Sequence, residues 1–257
     1  MIVDMKTTIV VPDVQMPYDD PTALRKIIQV ARDIQPDAVV QIGDLIDMPQ
    51  VSRWSKGGAS EYTTTLQGHI NDVKERFFSP LREAAPKAAI TWISGNHDER
   101  ITDYLSKYGY PLKALDALSM DSLFDLKSYG VDYVKGPHQI GSNTYAIHGH
   151  ESGGYCASAS AWDTKFAKRY GSEFNYVFGH THSPWLISGA RGFGGNVKPR
   201  WTMNVGSVMD PANATYVKDL AVNWTMSFGL LRDNGKEVWP ELVLMNRKQF
   251  WINGKKY

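Results

Sequence analysis

The sequence predicts an α/β protein whose first half carries a mainly parallel sheet covered on both sides and whose second half is rich in strands. Three observations predict it. Short apolar runs alternate with amphipathic helical segments between residues 8 and 93, a βαβαβ order that calls for parallel strands. Beyond residue 130 the helical spacing gives way to a succession of short apolar strands. Five of the seven histidines sit where such runs end, which is where open α/β sheets gather ligands.

Taken in order, residues 8–11 read as the first strand and residues 21–34 as the first helix. Asp20-Pro21 supplies a cap and a proline at the first helical position, and Leu24, Ile27, Ile28 and Ala31 recur at spacings of three and four. A strand over 38–42, a helix over 66–85 and a strand over 88–93 complete the first half. Residues 48–62 break into Gly57-Gly58 and scattered charge and read as a loop beside the second motif. Residues 101–126 return to helical spacing as two or three short helices. Strands follow over 131–134, 144–147, 176–178, 201–205, 224–231 and 237–244, interrupted by one helix over 159–170. No low-complexity linker or internal repeat separates the halves, so residues 1–257 are expected to form one domain. Its motifs fall within residues 13–182, and the strands of residues 201–257 are expected to complete the second sheet.

Twenty-eight basic and 27 acidic residues give a net charge of +1, so no overall field draws the chain to duplex DNA or an anionic membrane. Cys156 is the sole cysteine, which excludes an internal disulfide and a thiolate cluster and fits a reducing compartment. Acidic Asp4 stands where a secretion signal carries basic residues. No apolar stretch nears the roughly 20 residues of a membrane helix. The expectation is a cytoplasmic protein with no membrane partner. Trp224, Phe228, Trp239, Phe250 and Trp251 crowd the C-terminal region, where core packing and a homodimer surface are both open readings.

Five stretches carry the chemistry: Asp13-Val14-Gln15, Gly43-Asp44-Leu45-Ile46-Asp47, Gly95-Asn96-His97-Asp98-Glu99, His148-Gly149-His150 and Gly179-His180-Thr181-His182. A pair of metal ions about 3.5 to 4 Å apart asks for oxygen ligands, imidazoles and one carboxylate able to bridge. Singly, these residues have plainer roles: Asp13 and Asp47 as helix caps, Gly43 and Gly95 in tight turns. Jointly they do not, since two histidines one residue apart at a strand end share a face.

In that order the stretches resemble the signature of the calcineurin-like metallophosphoesterases, of the type carried by bacteriophages and bacteria. The resemblance implies a four-layer αββα sandwich, two mixed sheets flanked by helices. It implies two divalent metal ions, one held by Asp13, Gln15, Asp44 and His182, the other by Asp44, Asn96, His148 and His180, with Asp44 as the bridge. It assigns His97 to protonating the leaving group and Asp98 to orienting His97, and it leaves the attack on phosphorus to a hydroxide between the ions. It also places the protein in the cytoplasm of a bacterial or phage-infected cell.

Gln15 departs from the pattern, which usually carries an imidazole there. An amide oxygen suits Mn²⁺ or Mg²⁺ better than Zn²⁺, so Mn²⁺ is the expected ion, with Mg²⁺, Fe and Zn²⁺ as alternatives. His150 reads as supporting the ligands or contacting phosphate, Asp47 as a hydrogen-bonding support, and His69 and His138 as surface or packing residues. The expected reaction is phosphodiester hydrolysis, against phosphomonoesterase, DNA nuclease and silent-scaffold alternatives. A nucleotide or nucleic acid is a candidate substrate. Arg53, Lys56, Arg100, Lys165, Lys168, Arg169 and Arg191 are available for phosphates, and Trp54, Trp162 and Trp185 for bases.

Overall fold

The computed structural model describes residues 5–257 apart from 54, 63, 154, 157, 193 and 214–222, and leaves out the side chains of 59, 60 and 191. Asp4, Trp54 and the Arg191 side chain therefore lie outside the described residues. The strands are β1 (Lys6–Val11), β2 (Ala38–Gln41), β3 (Ala89–Ile93), β4 (Val131–Val134), β5 (His138–Gly141), β6 (Thr144–Ile147), β7 (Asn175–Phe178), β8 (Trp185–Arg191), β9 (Lys198–Asn204), β10 (Ser227–Asp233) and β11 (Val238–Leu244). A small hairpin, β12 (Trp251–Ile252) and β13 (Lys255–Lys256), closes the chain. The helices are α1 (Pro21–Ile34), α2 (Ala59–Tyr62), α3 (Leu66–Val73), α4 (Ser79–Ala84), α5 (Arg100–Tyr108), α6 (Met120–Phe124), α7 (Leu126–Tyr129) and α8 (Ala159–Tyr170).

Two mixed sheets result. The first runs β11-β10-β1-β2-β3-β4, with β1 to β4 parallel and β10 antiparallel to both β1 and β11. The second runs β5-β6-β7-β9-β8, parallel in its centre and antiparallel at both edges.

Alternation along the strands sorts side chains into three packed layers. Ile9, Val11, Val39, Ile90 and Trp92 face α1, α3, α4 and α6, meeting Leu24, Ile27, Phe77, Phe78 and Phe124. Their neighbours Val10, Val40 and Ile93 point the other way, onto Ala146, Val177, Trp201 and Met203 of the second sheet. On the far side of that sheet, Ile147, Tyr176 and Phe178 pack on Trp162 and Phe166 of α8. The period of two makes one strand serve two cores. The architecture is the expected αββα sandwich.

The expectation that the C-terminal strands complete the second sheet needs correction. β9 does join it, but β10 pairs with β1 and β11 with β10, both in the first sheet. The apolar alternation of β10 fits either sheet; the antiparallel register Ile9↔Leu230 selects one. β5 and β8, absent from the sequence reading, are the two edges of the second sheet and bury little, so their periodicity is weak.

Asp20 caps α1 through Oδ1, which accepts from the N–H groups of Thr22 and Ala23, both at 2.9 Å. The segment read as one helix over 66–85 is α3 and α4 joined by a π-helical turn over Lys74–Phe78. Among the described residues no helix is long and apolar enough to cross a membrane.

Candidate metal centre

The candidate residues follow the carboxyl ends of β1, β2, β3, β6 and β7, and hydrogen bonds across those ends draw the segments together. Val14 and Gln15 donate their N–H groups to the Asp44 carbonyl at 3.1 and 2.8 Å. The His180 N–H reaches the Asp13 carboxylate at 3.0 Å, joining the first sheet to the second. Gln15, Asp44, His180 and His182 all adopt left-handed φ between 52 and 66°, a conformation that costs an L-residue energy and turns each side chain off its strand. Four strained positions in one cluster are a mark of a site.

Two donor sets form. Asp13 Oδ2 lies 3.1 Å from His182 Nε2, and Gln15 Nε2 lies 3.4 Å from the same atom. In the second set His148 Nε2 lies 3.1 Å from Asn96 Oδ1 and 3.2 Å from Asp44 Oδ2. Atoms of Asp44, His148 and His180 fall within 4.8 Å of one another. His148 Nδ1 donates to the Ile42 carbonyl at 3.0 Å, which fixes the ring and aims Nε2 inward, as second partners of metal-binding imidazoles do.

These residues fit divalent ions. Gln15 Oε1 is buried without a hydrogen-bond partner, a costly state for a group that a cation would satisfy. Burial, and then the neighbouring His148, holds the His180 pKa down to about 4, so its lone pair is available near neutral pH. For Asp44, burial opposes the charge but is outweighed by His148 and His97, which keep the carboxyl well below its ordinary range.

Glycines let the segments approach this closely. A Cβ on Gly95 would lie 2.2 Å from both the N and Oδ1 of Asp44, and one on Gly179 would lie 2.1 Å from Asp13 Oδ1.

His97 stands beside the second donor set, with Nε2 3.7 Å from Asp44 Oδ2. Its Nδ1 donates to Asp47 Oδ1 at 2.5 Å. Arg100, on the first turn of α5, lies 2.9 Å from Asp47 Oδ2 and 3.3 Å from His97 Nε2. Arg100 was counted in the sequence only as one of several cations; its position three residues past His97, on the following turn, was the available signal.

Asp98 does not orient His97; Asp47 holds that ring. The Asp98 carboxylate instead accepts from the N–H groups of Asp44, Leu45, Ile46 and Gly95, at 2.8 to 3.2 Å, and from Trp92 Nε1 at 3.2 Å. Burial and then the Asp44 carboxylate push its pKa up to about 7, against the pull of the Gly95 and Ile46 N–H groups. The residue is a staple between the loops that follow β2 and β3.

His150 adjoins the second donor set, its ring centroid 5.2 Å from that of His148 and 6.3 Å from that of His180, with Nε2 3.8 Å from Glu99 and Nδ1 3.5 Å from Glu151. Trp162, a candidate for stacking bases, is core. His69 is buried beside Gln50. Asn204, which no motif flagged, donates to the Gly179 carbonyl at 3.1 Å and to Thr181 Oγ1 at 2.6 Å, fixing the loop that carries His180 and His182.

A family model described as calcineurin-like phosphoesterase matches residues 6–195, which includes every motif above. The chain belongs to the calcineurin-like phosphoesterase family. This calcineurin-like phosphoesterase is 35% identical over 252 residues to the Gene 54 protein of Mycobacterium phage D29, an alignment spanning 97% of each chain. The Gene 54 protein of Mycobacterium phage L5 is also 35% identical, over 97% of this phosphoesterase and 98% of the relative. Among solved structures, a Vps29 single mutant from Entamoeba histolytica superposes with a TM-score of 0.48 at 16% identity, covering 98% of this chain and 96% of that one. The phosphoesterase YfcE from E. coli gives 0.42 at 17% identity, covering 96% and 97%.

Proposed function

We propose that this protein is a divalent-metal-dependent phosphoester hydrolase that acts on phosphodiesters. Asp13, Gln15, Asp44 and His182 would hold one ion, and Asp44, Asn96, His148 and His180 the other. The observation that carries the reading is the His97 arrangement: an imidazole beside the Asp44 donor set, fixed through Nδ1 by Asp47, with the Arg100 guanidinium 3.3 Å from its Nε2. A silent scaffold has no use for it.

Bound ions would supply positive charge for the phosphoryl oxygens and lower the pKa of water. The chain's own residues divide the remaining work. With Nδ1 committed to Asp47, His97 presents Nε2 to the site beside Arg100 and, as the imidazolium that burial opposes but the Asp44 and Asp47 carboxylates favour, can pass the Nε2 proton to a departing oxygen. Arg100 holds positive charge where phosphate oxygens would gather and keeps Asp47 in place. The cavity that opens beside Asn96 and Arg100 gives room for the second substituent of a diester, which a monoester does not need. Gln15 would contribute its amide oxygen, which is buried without a hydrogen-bond partner, a donor that favours Mn²⁺ over Zn²⁺. The phage relatives support a workplace in the cytoplasm of an infected bacterium.

The test is hydrolysis by the metal-stripped protein after adding back Mn²⁺, Mg²⁺ or Zn²⁺. Bis(p-nitrophenyl) phosphate is expected to turn over fastest with Mn²⁺ and faster than p-nitrophenyl phosphate. Inertness toward both esters with every ion would sink the enzyme reading. Two zinc ions surviving dialysis would sink the manganese preference alone.

A further inference from the structure

A cavity of about 520 Å³ leads away from the candidate centre between the 49–62 segment and α5, within the size range of ligand sites. Its inner end is Asn96 and Arg100. Its outer wall is one face of α5, where Arg100, Tyr104 and Tyr108 follow at spacings of four and Lys107 lies alongside. At 1.5 Å of rise per residue that face extends about 12 Å from Arg100.

Tyr104 and Tyr108 are exposed, at 42% and 56%, with ring centroids 5.0 Å apart. The ammonium groups of Lys56, from the opposite wall, and Lys107 lie 5.3 and 5.1 Å from the Tyr108 centroid. Solvated aromatic rings bordered by cations are the elements that bind single strands: bases stack on the rings and phosphates meet the cations. A phosphopeptide would use the cations but has no general use for two exposed aromatic rings. A lone mononucleotide would leave the outer half of the groove empty.

We propose that this groove binds a single-stranded polynucleotide, with bases against Tyr104 and Tyr108, backbone phosphates at Lys56 and Lys107, and one phosphodiester at Asn96 and His97. The placement of that last phosphodiester rests on the phosphodiesterase reading above. The net charge of +1 fits a short strand in a local groove better than a long duplex.

Fluorescence anisotropy on the full chain tests it, with a short phosphorothioate-linked oligothymidylate and an abasic oligomer of equal length as probes. The base-bearing probe is expected to bind about tenfold tighter, as one stacked base provides. Tyr104→Ala with Tyr108→Ala brings the two affinities together. Lys56→Gln with Lys107→Gln weakens both probes alike and flattens the log-log salt slope by roughly 1.4, at about 0.7 per phosphate contact. Equal wild-type affinity for the two probes, binding of neither, or tighter binding of a phosphopeptide of equal charge overturns the proposal. The wild-type comparison decides even if an alanine variant fails to fold. Base-dependent binding without ester hydrolysis would sink the enzyme reading alone, and hydrolysis without base-dependent binding this inference alone.

Discussion

Asp47 Oδ1 lies 2.5 Å from His97 Nδ1, although fifty residues of chain separate them. The pair ties the loop after β2 to the loop after β3 and leaves Nε2 of His97 turned toward Asp44 Oδ2 and Arg100, at 3.7 and 3.3 Å. Asp47→Ala is therefore expected to lower kcat by about 10- to 100-fold, the usual cost of removing a partner that orients a site residue. KM and bound metal should change little, and steady-state kinetics with elemental analysis reads both. An unchanged kcat would remove Asp47 from the reaction.

Gly95 has no room for a side chain, because a methyl group there would overlap the backbone and carboxylate of Asp44. Gly95→Ala should displace Asp44 and cost about a hundredfold or more in turnover, as small misplacements of reacting groups do. Because Asp44 stands in the donor set with His148 and His180, bound metal should fall too, as isothermal titration with Mn²⁺ would register. Normal metal binding would mean that the two loops part without moving the ligands.

Asp98 accepts five N–H groups, and an amide can serve only part of that set. Asp98→Asn is expected to destabilise the fold by about 1–3 kcal/mol, the cost of a buried donor left unpaired. Guanidinium denaturation would show the lower midpoint. Stability equal to wild type would deny Asp98 its role as a staple.

Asp20 ties the start of α1 to the C-terminal region through Lys248, at 2.5 Å, while capping the helix. Asp20→Ala should cost about 1 kcal/mol, and Asp20→Asn, which keeps a capping oxygen, less. Burial works against the charge, but Lys248 and the N–H groups of Ala23 and Thr22 outweigh it and lower the pKa from 3.8. A lowered carboxyl pKa stabilises the fold above the unfolded value and loses that effect as pH falls through the folded value. The gap between wild type and Asp20→Ala should therefore narrow below about pH 4 in thermal melts, as the charge-dependent part is lost.

Much of the site could be read in the sequence because its residues sit directly after apolar strands, so their place in the chain gives their place in space. Asp13, Asp44, Asn96, His148 and His180 follow this rule, and the helices at Pro21–Ile34 and Ala159–Tyr170 fall where the periodicity puts them. Asp98 and Asp47 could not be sorted that way. Both stand within a few residues of a metal-ligand motif, and which carboxylate faces His97 and which faces backbone N–H groups depends on how two loops fold over each other. The pairing of β10 with β1 was equally hidden, since an alternating strand has an apolar face for either sheet.

The sequence by itself determined the alternating strands and helices of the first sheet, the ends of the strands that carry the motifs and the donor atoms available there, because periodicity and ligand chemistry are local properties. Tertiary structure alone decided which sheet takes the last strands, that Asp47 rather than Asp98 holds His97, and that α5 turns its tyrosines along a groove opening at Asn96. Each of these depends on contacts between segments far apart in the chain, whose choice rests on burial and hydrogen-bond satisfaction across the whole fold.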